Sequence, residues 1–334
     1  MTKVCFLATL VAAAAAGCVY APVDLNVPSN KTEEETVVDS GSSNKIVLVR
    51  VDGEITDQPR NSVFETNEST TAIVKEALDR AKKDEDVKGI VLRIDSPGGG
   101  VTASDIVYKE ILNWKRETKK PVVAILMDVA ASGGYYIAQS ADAIIAHPSS
   151  ITGSIGVVAM LLDVQGLGEK IGVTVHVFKS GAYKDMGNPF RKIEEPERVV
   201  FQKLVDDLFQ KFVGVVADGR SKAGLTREDV LKLADGRIYT AEDANAARLV
   251  DKTGYISDAI DQAKVLAKIE DAKVVTYVRR GFLSPGQATV YSHASAETAP
   301  SLLRANVDGG LGKMDPGRLL PRERPMFNYL WIPN

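Results

Sequence analysis

Three runs of mostly apolar, β-branched residues mark the first part of this 334-residue chain: Ile46 to Val51, Val87 to Ile94 and Pro121 to Met127. Each reads as a strand, and the third as a buried one. Between them, Thr71 to Lys83 puts Ile73, Val74, Ala77, Leu78 and Ala81 on one stripe, the mark of an amphipathic helix. Ser104 to Glu117 also reads as helix. Strand alternating with helix predicts an α/β fold, a parallel sheet with helices packed on it.

The pattern continues beyond these runs. Ala143 to Ala146 and Val173 to Phe178 read as strands, and Leu161 to Ile171, Glu194 to Ala217 and Leu225 to Ala234 as helices. Ile238 to Asp243 reads as a strand capped into a helix that ends near Asp251. The folded domain is expected over residues 45–278. Residues 279–334 are rich in Gly, Pro and Ser and end in an aromatic stretch, Met326 to Trp331, either disordered or a docking peptide.

Composition excludes several functions. With 45% hydrophobic and 25% charged residues the chain is ordinarily globular. A net charge of −3 offers nucleic acid no concentrated basic face, so no nucleic-acid partner is expected. Neither a phosphate-binding loop nor a dinucleotide fingerprint is present. No metal and no cofactor is expected: both cysteines lie far N-terminal, and His147, His176 and His293 lack ligand spacing.

The N-terminus reads as an export signal over residues 1–17. Lys3 supplies a positive charge, and Val4 to Ala16 is apolar apart from Thr9. That run is too short to span a hydrocarbon core about 30 Å thick, but it suits a signal's hydrophobic region. It ends in Ala15-Ala16-Gly17-Cys18, which looks like a lipobox and makes Cys18 the expected lipidation site; ordinary cleavage leaving a free thiol is the alternative. Either way the mature chain is exported. Residues 18–44 are polar and acidic and read as a flexible tether, about 30 Å end to end if disordered.

Two loops carry the chemistry. Asp128 to Tyr136 (DVAASGGYY) places Ser132 where a strand meets a helix, among backbone N–H groups with no intrahelical partner. Small residues on either side let a substrate backbone come close. One strand–helix unit earlier, Asp95-Ser96-Pro97-Gly98-Gly99-Gly100 follows a strand. Its glycines allow outward-facing N–H groups and a second half of an oxyanion hole. An extended substrate would pair with strand edges near Gly98 to Gly100 and near Ile155, Gly156, Val157 and Val158.

Five segments in order, DSPGGG (95–100), AASGGYY (130–136), TGSIGV (152–157), KSGAYKD (179–185) and GRIYTAEDA (236–244), resemble the signal peptide peptidase A group, the serine-lysine peptidases of family S49. The likeness spans residues 45–270, about two-thirds of the chain. It implies the ββα superhelix of the Clp protease and crotonase superfamily, and a homo-oligomeric ring of about eight subunits. It also implies Ser132 as nucleophile, Lys184 as general base and Ser154 as the lysine's hydrogen-bond partner. Gly99 and Gly133 would supply the oxyanion hole. The family's usual membrane-spanning anchor is replaced here by the short, lipobox-like signal.

A lysine serves as base only when neutral, and an ordinary one titrates near 10.4. Lys179 is the rival in the same loop, and a serine–histidine–aspartate triad recruiting His147 or His176 is another reading. The expected function is an envelope-tethered, periplasm-facing serine endopeptidase that cuts apolar peptides, cleaved signal peptides above all. The alternatives are a crotonase-like acyl-CoA enzyme, which needs coenzyme A, and a non-catalytic scaffold.

Overall fold

The computed structural model describes residues 32–61, 66–279, 289–290 and 327–330. The export signal, Cys18, the tether before Thr32 and most of the C-terminal tail lie outside the described residues. In chain order the first elements are β1 (Thr32–Val38), β2 (Lys45–Asp52), the short β3 (Arg60–Asn61) and β4 (Thr66–Asn67), and α1 (Thr70–Lys83). Next come β5 (Val87–Ser96), β6 (Gly98–Gly100), α2 (Val101–Thr118), β7 (Val122–Ala131), α3 (Gly133–Ala138), β8 (Ala143–Ala146), β9 (Ile151–Gly153), β10 (Val158–Ala159) and α4 (Gln165–Lys170). The last are α5 (Glu195–Gly219), α6 (Arg227–Leu233), β11 (Ile238–Thr240), α7 (Ala241–Ala246), β12 (Lys252–Thr253), α8 (Ile256–Ala267), β13 (Lys273–Arg279) and β14 (Phe327–Leu330).

The main sheet runs β1-β13-β2-β5-β7-β8-β12, and every pairing from β13 to β12 is parallel. Strand alternation feeds two cores. Val47, Val49, Ile90, Leu92, Ala124 and Leu126 face Leu78, Val107, Ile111 and Tyr135. Ile46, Leu48, Val91, Val123 and Ile125 face Ile256, Ala259 and Ala263 of α8. Both faces are covered, which is why the strands read as mostly apolar runs without a clean polar alternation. The fold is Clp protease-like, as the sequence led one to expect.

Several local expectations need correction. Thr32–Val38, within the stretch read as tether, is an edge strand antiparallel to β13, with Thr36 opposite Val275. From Glu33 onward half-buried and exposed residues alternate, and Val37 on the half-buried face packs against the second core. Val173–Phe178 is no strand, despite its alternating valines. Val173, Val175 and Val177 are exposed, so the segment lacks the packed surface that makes such residues favour a strand. The helix read over 161–171 is confined to Gln165–Lys170. α8 escaped the sequence reading altogether, although Ile256, Ala259, Ile260 and Ala263 carry its spacing.

β14 joins a separate three-stranded sheet, lying antiparallel between β10 and β6. Asn328, Tyr329 and Leu330 stand opposite Gly100, Gly99 and Gly98, while Val158 and Ala159 pair with Asn328 and Phe327.

Candidate active site

Ser132 follows β7 and caps α3 with φ 52° and ψ −115°, positive-φ backbone unusual for a residue bearing a Cβ. Such strain costs on the order of 1–3 kcal/mol and persists only where the surroundings over-determine it. Here they do. The Ser132 amide donates to the Gly153 carbonyl at 2.8 Å, and its carbonyl accepts from the Tyr136 amide at 2.8 Å. Below it, Tyr135 is fully buried and donates to the Leu249 carbonyl at 2.7 Å. Burial pushes that phenol's pKa up, so it remains a donor.

The neighbouring loops close in through glycines. Ser96 of β5 stands opposite Ala130 of β7, and a Cβ at Gly134 would lie 2.9 Å from the Ser96 carbonyl oxygen. The DSPGGG and AASGG segments therefore touch backbone to backbone. Ile55 fixes the glycine loop from behind, donating to the Gly98 carbonyl at 2.8 Å and accepting from the Gly100 amide at 2.9 Å. Extended backbone alternates, so the N–H of Gly99 is directed away from Ile55, toward β14. A Cβ at Gly99 would sit 2.1 Å from the Ile55 oxygen, so glycine is required there. The Gly133 amide opens the first turn of α3, where no intrahelical acceptor exists. α3 has six residues and offers individual amides rather than a long helix dipole.

Ala131 pairs with Gly153 between parallel β7 and β9, so Ser132 and Ser154 leave the tips of adjacent strands together. Ser154 too has positive φ, 50°, and its amide donates to the Arg237 carbonyl at 2.8 Å. Ile155 is buried in the core and can meet a peptide only through its backbone. The strand edge that pairs with β14 is Val158–Ala159, one residue beyond Val157.

The structure thus brings together Ser132, Gly133, Gly98, Gly99, Gly100 and Ser154. Lys184 lies on an exposed loop, and among the described residues its ammonium makes no hydrogen bond to Ser132 or Ser154. Lys179 is already engaged, donating to Asp185 Oδ1 at 2.7 Å and to the Ala182 carbonyl at 2.9 Å. Neither histidine is hydrogen-bonded to the serine. His147 Nδ1 pairs with Ser149 Oγ at 2.8 Å and its ring stands edge-on to Tyr255, while His176 is exposed.

A family model described as peptidase family S49 matches residues 114–270, and one described as Clp protease matches 61–151. A putative signal peptide peptidase SppA from Enterococcus faecium is 40% identical over 249 residues, covering 75% of this chain and 71% of that one. The chain belongs to peptidase family S49. Among S49 relatives, Protease 4 of Salmonella typhi is 34% identical over 237 residues, of which this chain spans only 36%. A solved membrane-bound stomatin-specific protease aligns over 73% of this chain at 16% identity, with a TM-score of 0.44. Within the SppA type of this family the chain is a serine peptidase, and Ser132, the candidate nucleophile, lies where β5, β7 and β9 converge.

Proposed function

We propose that this S49 member is a serine endopeptidase acting on extended apolar peptides, cleaved signal peptides among them, with Ser132 as nucleophile and Lys184 as base. The observation that carries this is β14. A strand already lies antiparallel between β6 and β10, against the glycine loop that flanks Ser132. An extended substrate would occupy the same place by backbone pairing. In this reading β14 competes with substrate and holds the groove closed to other peptides.

In the reaction, Ser132 Oγ bonds to the scissile carbonyl carbon as its proton passes to the neutral Lys184 amine. The Gly99 and Gly133 amides receive the oxyanion. Collapse breaks the C–N bond, and the lysine's proton goes to the leaving nitrogen. Water, deprotonated by the same lysine, then cleaves the acyl ester and regenerates the serine. In this reading Ser154 accepts from the lysine and aims it.

Lys184 has to be delivered to this site. Its loop belongs to an arm whose apolar side chains face solvent: Leu162 is 65% exposed and Phe178 97%. In a homo-oligomeric ring of about eight copies a neighbour would cover the arm and bring the lysine against a serine. Among the described residues no helix is long and apolar enough to cross a membrane. From the lipobox-like Ala15-Ala16-Gly17-Cys18 we infer a lipid on Cys18 as the tether, holding the peptidase on the extracytoplasmic, periplasm-facing side.

The test is labelling with a fluorophosphonate probe, then mass spectrometry of the adduct. Modification of Ser132, together with hydrolysis of a leucine- or alanine-rich fluorogenic peptide, is the expected result. A label on any other serine would remove the assignment.

A further inference from the structure

The base assignment leaves unexplained how a lysine flanked by Asp185 avoids pairing with it. Lys179, Asp185 and Arg191 crowd one loop, and Glu197 faces them from the first turn of α5. Arg191 binds both acids. Its Nε donates to Asp185 Oδ2 at 2.8 Å and its Nη2 to Asp185 Oδ1 at 3.0 Å, with a third bond to the Asp185 carbonyl at 3.1 Å. Its Nη1 donates to Glu197 Oε2 at 2.9 Å, and Nη2 closes a second bond to Glu197 Oε1.

Glu197 is the fixed end of this clamp. It is 2% exposed, and its side chain also accepts from the Glu194 amide at 3.0 Å, completing the cap of α5. A buried carboxylate deprived of its cation is costly, so the arginine is held firmly. Gly187 adds a second anchor: with φ 79°, its missing Cβ would come 3.2 Å from the Phe201 ring of α5. Residues 185–187 are therefore seated on α5, and Lys184 is the residue immediately before the seat.

We infer that Arg191 is a positioning residue for Lys184: it pins the base-bearing loop to α5 and keeps the adjacent Asp185 carboxylate occupied, so that the lysine enters the site unpaired. This rests on the reading of Lys184 as base. Asp185 accepts from Arg191 through both oxygens and from Lys179 through one, and no described residue pairs with the Lys184 ammonium. Asp185 is held well below the usual carboxylate range by Arg191 first and Lys179 second, so it remains an anion throughout the working range. Without Arg191 that anion lies beside Lys184 and favours its charged form.

The experiment compares Arg191→Gln, Arg191→Lys and the double variant Arg191→Gln/Asp185→Asn with wild type across about pH 5 to 10, using a fluorogenic peptide. Lys184→Met and size-exclusion profiles serve as controls. Arg191→Gln should lose about tenfold or more in kcat with little change in KM, and its acidic limb should move alkaline by about half a pH unit or more. The double variant should return the limb to the wild-type position, because both the cation and the stray anion are gone. Arg191→Lys keeps a cation on Asp185 but cannot bridge both acids; it should fold, keep the limb in place and lose part of kcat. An Arg191→Gln enzyme within twofold of wild type in kcat, with an unmoved limb, would overturn the inference. If Arg191→Gln fails to fold, an Arg191→Lys enzyme with undiminished kcat does the same. Full activity of Lys184→Met would instead sink the base assignment itself.

Discussion

The Ser132 amide donates to the Gly153 carbonyl across 2.8 Å, and this bond ties the candidate nucleophile to the strand that carries Ser154. Two positive-φ serines thereby leave neighbouring parallel strands in step. An acyl-transfer site needs such rigidity, since misplacing a nucleophile by an ångström costs about a hundredfold in rate.

Ser132→Ala should lower turnover by more than about a thousandfold without changing oligomer size, and so should Lys184→Met. If the lysine comes from a neighbouring copy, co-assembling the two inactive chains restores part of the activity. Steady-state hydrolysis by the mixed oligomer checks this, and no recovery would place both groups in one chain.

Gly99→Ala puts a methyl carbon where the Ile55 backbone oxygen already lies, at 2.1 Å. The loop has to shift, at a cost of about 1–3 kcal/mol in stability. The displaced amide should also reduce kcat by about 10²–10³, the size of a lost oxyanion donor. Thermal melts and kinetics on one preparation separate the two effects. Wild-type kcat would remove Gly99 from the oxyanion hole.

Acid should loosen the Lys184 loop before it unfolds the sheet. Arg191 draws the pKa values of both Asp185 and Glu197 downward. Their contribution is complete above the unfolded-state values near 4 and is lost as pH falls through the lower folded ones. Hydrogen exchange should therefore show residues 179–191 opening below about pH 4 while β5 and β7 remain protected. Simultaneous opening of loop and sheet would contradict this.

Removing residues 317–334 takes away β14 and should lower KM for a short apolar peptide several-fold, since a tethered competitor has left the groove. Unchanged KM and kcat would mean that β14 does not compete.

Cys18→Ser should move the protein from the membrane fraction to the soluble one, because a lipid chain is then no longer attached. Unchanged fractionation points to a different tether.

The sequence by itself determined the layered α/β architecture, since mostly apolar, β-branched runs such as Val87 to Ile94 alternating with amphipathic helices are the pattern of a parallel sheet covered on both faces. It also determined where small residues had to stand: Gly99 in the loop after the second strand and Gly134 after Ser132 were legible before any contact was known. Only the tertiary structure decided which loops meet. The pairing of Ala131 with Gly153 and the arrival of β14 between β6 and β10 join residues far apart in the chain, and local periodicity carries no record of such distances. It likewise decided that Lys179 is spent on Asp185 and that Arg191 reaches Glu197. An ion pair is set by where side chains end in space, and the order of residues along the backbone does not specify that.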